Sequence, residues 1–320
     1  MTSPRSRSVT DRRPHPLVTA LARWAAGMAV VLSALFVLVD ALPSDYAGRV
    51  AGANATRAEQ LRASYGLDAP VTVRLVRWWA GIARGDAGVS FVDAHPVLPK
   101  VAHRFMMTAA IGVPAMLIAV TAAVVVAFAL AWLDHTLPGT WLSVAVSVIV
   151  GLPEVVLIIA LVLLGAVWLG WVPPVSLVNP AIPLWRQPTI LLLPVTALAV
   201  PHAAWGARML RGSAADVISG DLVASARRRG VGVWRIAVHH VLPRWRGPII
   251  QVSAMLAAGI IGGSVVVEAL LAYPGLGQLL ASAVANRDTP TVQAAGAAVV
   301  AVSLALLTAA DYAATRAEES

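Results

Sequence analysis

The chain has no cysteine, a single lysine (Lys100) and few charges of either sign. Without cysteine, disulfides, thiolate catalysis and cysteine-ligated metal or iron–sulfur sites are excluded. Charged residues make up 12% of the 320 positions, about half the share of an ordinary soluble domain. No GxxxxGK[ST] stretch is present, so the chain has no P-loop nucleotide site. No histidine pair has HExxH spacing, and the adjacent His239 and His240 cannot both reach one metal from a helix. Neither a Ser/His/Asp set nor a metal cluster supports a membrane-bound enzyme.

What is present is apolar. Hydrophobic residues reach 58% and mean hydropathy is +0.77. They fall in blocks long enough to cross a bilayer core, at about 24–42, 105–133, 141–169, 188–208, 248–270 and 291–313. An all-α membrane protein of six spans is the reading. The first block is too long for a signal-peptide core and is expected to stay as an anchor. Pro114, Pro153, Pro194 and Pro201 fall inside expected spans, which a membrane bundle tolerates. Frequent Gly and Ala provide small faces for close helix packing. Between the first two spans, 43–104 is mixed and polar, with short amphipathic helices expected over 58–65 and 71–82. Trp168, Trp171 and Trp185 suit an interfacial belt.

The net charge of +8 and pI near 11.1 would point to nucleic acid in a soluble protein. Their placement points to topology instead. Arg5, Arg7, Arg12, Arg13 and Arg23 precede the first span. Arg208, Arg211, Arg227, Arg228, Arg229, Arg235, Arg244 and Arg246 cluster between the fourth and fifth, against Asp216 and Asp221 alone. Short basic loops stay in the cytoplasm, so the tails 1–23 and 314–320 and the segment 209–247 are expected inside, with 43–104 outside. No nucleic-acid partner is expected.

The arginine-rich segment reads DLVASARRRGVGVWRIAVHHVLPRWRGP from Asp221 to Pro248. Small Ala224, Ser225 and Ala226 suit a closely packed helix face, and Gly230 permits a sharp turn. Trp234, Ile236 and Val238 are expected to give apolar contact, and Pro243 and Pro248 to punctuate the start of the next span. A helix–turn–helix along the membrane face fits, and so does a basic linker against anionic lipid head groups.

The spacing of Ala224-Ser225-Ala226, Gly230 and Leu242-Pro243 resembles the EAA loop of ABC importer permeases. More narrowly, the chain resembles the dipeptide, oligopeptide and nickel permease family, first-subunit type. Gly66-Leu67-Asp68-Ala69-Pro70 matches its GLDxP, and the run from Arg84 to Phe91 its RGDxGxSF, followed by Pro96-Val97. The run from Gly262 to Glu268 resembles GGxVVVE. Tyr273-Pro274-Gly275-Leu276-Gly277 resembles the PGLG region, and Arg287-Asp288 with Val292-Gln293 its RDxPxVQ. The departures are Ala224 for the Glu of EAA, His239 and Arg244 for Arg and Asn, and the missing DPR ending.

The resemblance implies a type I importer fold in a bacterial inner membrane. It implies a non-catalytic permease whose loop residues Ala224, Ser225, Ala226, Arg227, Arg229, Gly230, Trp234, His240, Leu242 and Pro243 couple to ATPase subunits. ATP and Mg would sit in two such partners, with no cofactor on this chain. A sister permease would complete the pathway, and an external binding protein would deliver short peptides, or alternatively nickel chelates or haem. Glu268, Pro274, Gly275 and Gly277 would belong to the translocation pathway or its outer gate, with Glu268 either structural or gating at the outer mouth, in contact with substrate, or simply snorkelling. Glu154, a lone acid inside the third span, has two readings. Either it lines the pathway and attracts a cation, or it is hydrogen-bonded to a neighbouring helix or the sister subunit. Asp134, His135, Asp40 and Asp311 read as ordinary interfacial polar residues. A secondary transporter or channel is the other class, but the proline pattern does not repeat between the halves as inverted repeats would have it.

Overall fold

In the computed structural model, residues 16–41 and 45–319 are described. The expected basic tail with Arg5, Arg7, Arg12 and Arg13 lies outside them, as does the side chain of Asp311. The described chain is helical, with a lone bridge between Val89 and Pro96. In order, α1 is Pro16–Asp40, α2 Tyr46–Ala51, α3 Ala55–Tyr65, α4 Val71–Ala83, α5 Val97–Trp132, α6 Leu137–Gly151, α7 Glu154–Val162 and α8 Pro188–Ser219. Then come α9 Asp221–Arg228, α10 Val233–Ile236, α11 Leu242–Leu270, α12 Leu276–Asn286 and α13 Thr289–Glu319. A π-helical stretch, Ala237–Val241, joins α10 to α11.

Five segments are long and apolar enough to cross a membrane: Leu21–Asp40, α5, α8, Val233–Leu270 and Thr289–Ala309. The expected span over 141–169 is not one helix. It is α6 and α7, the latter running into a π-helical stretch to Trp168, bent by 108° at Leu152 and Pro153. Taken as one broken span, the pair brings the total to six. Pro153 therefore does not ride inside a continuous helix as the sequence suggested. Its ring drives the preceding residue out of the α region, and Leu152 sits at φ −81°, ψ 136°. Pro114, Pro194 and Pro201 do stay inside α5 and α8.

The centre of the bundle is α5 against α8. Ala115, Ala119, Ala123 and Ala127 repeat at four-residue spacing along one face of α5 and are fully buried. Opposite them, a Cβ on Gly206 of α8 would lie 2.9 Å from that of Ala123. Small residues at helical spacing let the two backbones approach, which is how helices associate without a hydrophobic driving force. α11 packs on α8 and α5, and α13 on α11 and α1.

The segment 45–104 packs at the Val97 end of α5, and the 209–247 segment at its Trp132 end. In the former, Asp45 caps α2 by accepting from the Gly48 N–H at 2.7 Å. Asn54 caps α3 by accepting from Arg57 N–H at 3.0 Å. Gly66 ends α3 in the left-handed region, φ +64°. Tyr46, Tyr65 and Phe91 form a ring cluster with centroids 4.6–5.5 Å apart.

Candidate functional sites at the two ends of the bundle

At the Trp132 end, α8 runs eleven residues past the boundary expected at 208, to Ser219. α9 then folds back against the bundle. Val223 and Ala226 point inward, 1% and 0% exposed, onto Ile236, Val241 and Trp245. The Trp245 indole N–H donates to Ser213 Oγ at 2.8 Å, tying α11 to α8. α9 stops in a Schellman turn: Gly230 N–H donates to Arg227 O at 2.9 Å and Val231 N–H to Ala226 O at 3.1 Å. Gly230 has φ +75°, a conformation that costs an L-residue about 1–2 kcal/mol.

This explains the small triplet. Ala226 is the packing residue, Ala224 and Ser225 are half-buried at its flank, and the next three residues are arginines facing outward. Arg227 does not stand free. Its guanidinium lies 3.7 Å over the ring of Trp132 at the end of α5, a contact with no sequence signal because the partners are 95 positions apart. Arg229 and Gly230 are exposed. Of the three residues expected to give apolar contact, Ile236 is buried, Val238 half-buried, and Trp234 projects outward at 81% exposure. Leu242 and Pro243 are also exposed, and half-buried His240 has a buried Nδ1 with no hydrogen-bond partner among the described residues. The arrangement is a rigidly seated helix–turn–helix whose outer face offers arginines, an indole and Leu222.

At the Val97 end, Glu268 is fully buried in the last turn of α11. Its carboxylate accepts from Thr108 Oγ1 at 2.6 Å, Gly277 N–H at 2.6 Å and Gln278 N–H at 3.3 Å. Thr108 Oγ1 in turn accepts from Leu276 N–H at 2.8 Å. A Cβ on Gly275 would collide with this carboxylate, and one on Gly277 with the α11 backbone at Val265. Tyr273 donates to Met107 O at 2.9 Å; burial, with Glu268 alongside, pushes its phenol above the usual range, so it stays a donor. The structure thus brings Glu268, Gly275 and Gly277 together as one latch, with Pro274 half-buried beside it. Thr108 is the member with no distinct signal in the sequence, being one of two threonines, with Thr121, in the apolar block 105–133.

A second buried network joins the ends of two distant motifs. Asp288, 2% exposed, accepts from Ser90 Oγ at 2.5 Å, Phe91 N–H at 3.0 Å and Thr291 Oγ1 at 2.6 Å. Glu154 joins neither end. It opens α7 at the break and faces His202 of α8 and Gly263 of α11. Asp134 pairs with Arg211 at 3.1 Å, and Asp40 with Arg74.

Residues 119–319 match the family described as binding-protein-dependent transport system inner membrane component. A probable peptide ABC transporter permease protein of Sinorhizobium fredii is 31% identical over 84% of this chain and 86% of its own length. A putative peptide transport system permease protein of Brucella abortus is 32% identical over 83% and 85%. The glutathione transport system permease protein GsiC of Escherichia coli K12 is 32% identical over the same shares. The chain therefore belongs to the binding-protein-dependent transport system inner membrane components, the permeases of ABC transporters.

Proposed function

We propose that this chain is the first-type permease subunit of an ABC importer for short peptides. It forms half of the pathway with a sister permease. The exposed face of the α9–α10 turn docks on ATP-hydrolysing partners, which hold ATP and Mg. An external binding protein presents the peptide at the end where 45–104 packs. The membrane is the bacterial inner membrane, with the basic tail and the 209–247 segment in the cytoplasm, as the arginine placement argues. The names of the relatives support the peptide cargo.

The observation that carries the docking reading is Trp234, 81% exposed beside a helix whose inner face is locked by Val223 and Ala226. An indole among arginines is the composition of an interface hot spot. Motion of a partner gripping this turn passes along the helical run Val233–Leu270, made of α10, the π-helical stretch and α11, to the Glu268 latch. The test is co-expression with the two ATPase subunits, sister and receptor. Trp234→Ala is expected to weaken ATPase retention by about thirtyfold, the loss typical of a hot-spot residue, and to abolish receptor-stimulated hydrolysis. Unchanged retention and stimulation would sink the docking role. Uptake of labelled dipeptides and tripeptides, with Ni²⁺ in parallel, tests the cargo.

A further inference from the structure

A carboxylate is held without a partner where the third span breaks. Glu154 Oε1 is buried and has no hydrogen-bond partner among the described residues. It reaches toward α11 at Gly263, where a Cβ would lie 2.7 Å from that oxygen. One turn earlier, a Cβ on Gly259 would lie 2.9 Å from His202 Nε2. The two glycines, four apart on one face of α11, therefore leave room for these two polar side chains. His202 Nδ1 lies 2.8 Å from Leu198 O. A carbonyl can only accept, so Nδ1 carries a proton, and whenever the ring is neutral Nε2 is an acceptor.

Both side chains border a cavity of about 310 Å³ between α6, α8 and α11, together with Trp205. No lysine or arginine is among its lining residues. A broken helix at membrane depth is tolerated only where protein covers it or where it lines a watery cavity. A charged group there faces such a cavity or a partner.

We propose that Glu154 and His202 form a cation site in the translocation pathway, taking the α-ammonium group of a peptide in transit. The chemistry matches. An ammonium has three donors and one charge; the site offers a carboxylate, an imidazole nitrogen and, in the same lining, an indole. The assignment rests on the peptide-import reading given above.

The test uses the whole transporter reconstituted with sister permease, ATPases and receptor. Initial uptake of a tripeptide and of its N-acetylated form is measured for wild type, Glu154→Gln and Glu154→Asp, with receptor occupancy by each peptide determined separately. Glu154→Gln is expected to slow the free-amine peptide about tenfold, the effect of losing roughly 1.4 kcal/mol, and to leave the acetylated peptide unchanged. Glu154→Asp should restore most of the rate. Subunit co-purification and receptor-stimulated ATP hydrolysis should stay at wild-type level. Equal slowing of both peptides, or of neither, overturns the site. So does loss of the sister subunit from the Glu154→Gln complex, which would make the carboxylate an intersubunit partner. A wild-type transporter that imports neither peptide overturns the peptide reading instead, and the ammonium assignment falls with it.

Discussion

Glu268 is buried with no ion pair among the described residues, and its stability there comes chiefly from the donors around it. Three donors converge on the carboxylate, two of them backbone N–H groups at the start of α12. Removing the acceptor strands the two backbone donors, while Thr108 Oγ1 keeps Arg104 O at 3.3 Å as an acceptor. Each buried orphan costs about 1–3 kcal/mol. Glu268→Ala is expected to destabilise the chain by about 2–6 kcal/mol, the cost of two such orphans, seen as a fall in Tm in detergent. Glu268→Gln keeps one acceptor oxygen and should lie between. Gly275→Ala drives a methyl into the same carboxylate and should approach the Glu268→Ala loss. A Gly275→Ala variant with wild-type Tm would show that the loop is not held as described.

At the scale of the element, the broken span is the informative piece. Pro153 removes a backbone donor and forces Leu152 into an extended conformation, so α6 and α7 diverge by 108°. Replacing the proline frees both residues for helix. Because the chain has no cysteine, two can be introduced at Val144 and Ile159, both exposed, and spin-labelled without background. In a straight helix these positions would lie about 22 Å apart at 1.5 Å per residue. The bend makes the wild-type distance several ångströms shorter. Pro153→Ala is expected to lengthen it toward the straight value and to lower uptake, because Glu154 then leaves the cavity it shares with His202. An unchanged distance would mean that packing on α8, and not the proline, sets the bend.

For the molecule as a whole, the 45–104 segment is fastened by ion pairs as well as by rings. A hydrogen bond from Arg62 holds the Asp45 carboxyl below its ordinary range, and one from Lys100 does the same for Asp93. A carboxylate with a depressed folded-state pKa stabilises above the unfolded value, about 3.9, and loses that contribution as pH falls through the folded one. The segment should therefore loosen on acidification below about pH 4. Both Asp45 and Arg62 are partly exposed, so salt and solvent keep the effect small. The Tm difference between wild type and Asp45→Asn is expected to shrink as pH is lowered from 6 to 3. A difference constant across that range would remove the pair from the account.

The class is legible in one dimension. Apolar blocks of bilayer length, arginines confined to a few segments and motifs in family order are one-dimensional properties, and each is set by local chemistry. The Ala224–Gly230 turn was legible because its cause is local: small residues to pack, then a glycine to take a positive φ. The contacts across distance come from the packing of the helices instead. Arg227 found Trp132, Thr108 found Glu268, Ser90 found Asp288, and Glu154 came to line one cavity with His202. Trp234, expected to give apolar contact and by resemblance to couple to a partner, lies on the outer face. None of these is a matter of composition or period. A buried carboxylate takes whichever donor the packed helices carry to it, and which helix that is depends on how α5, α8 and α11 meet.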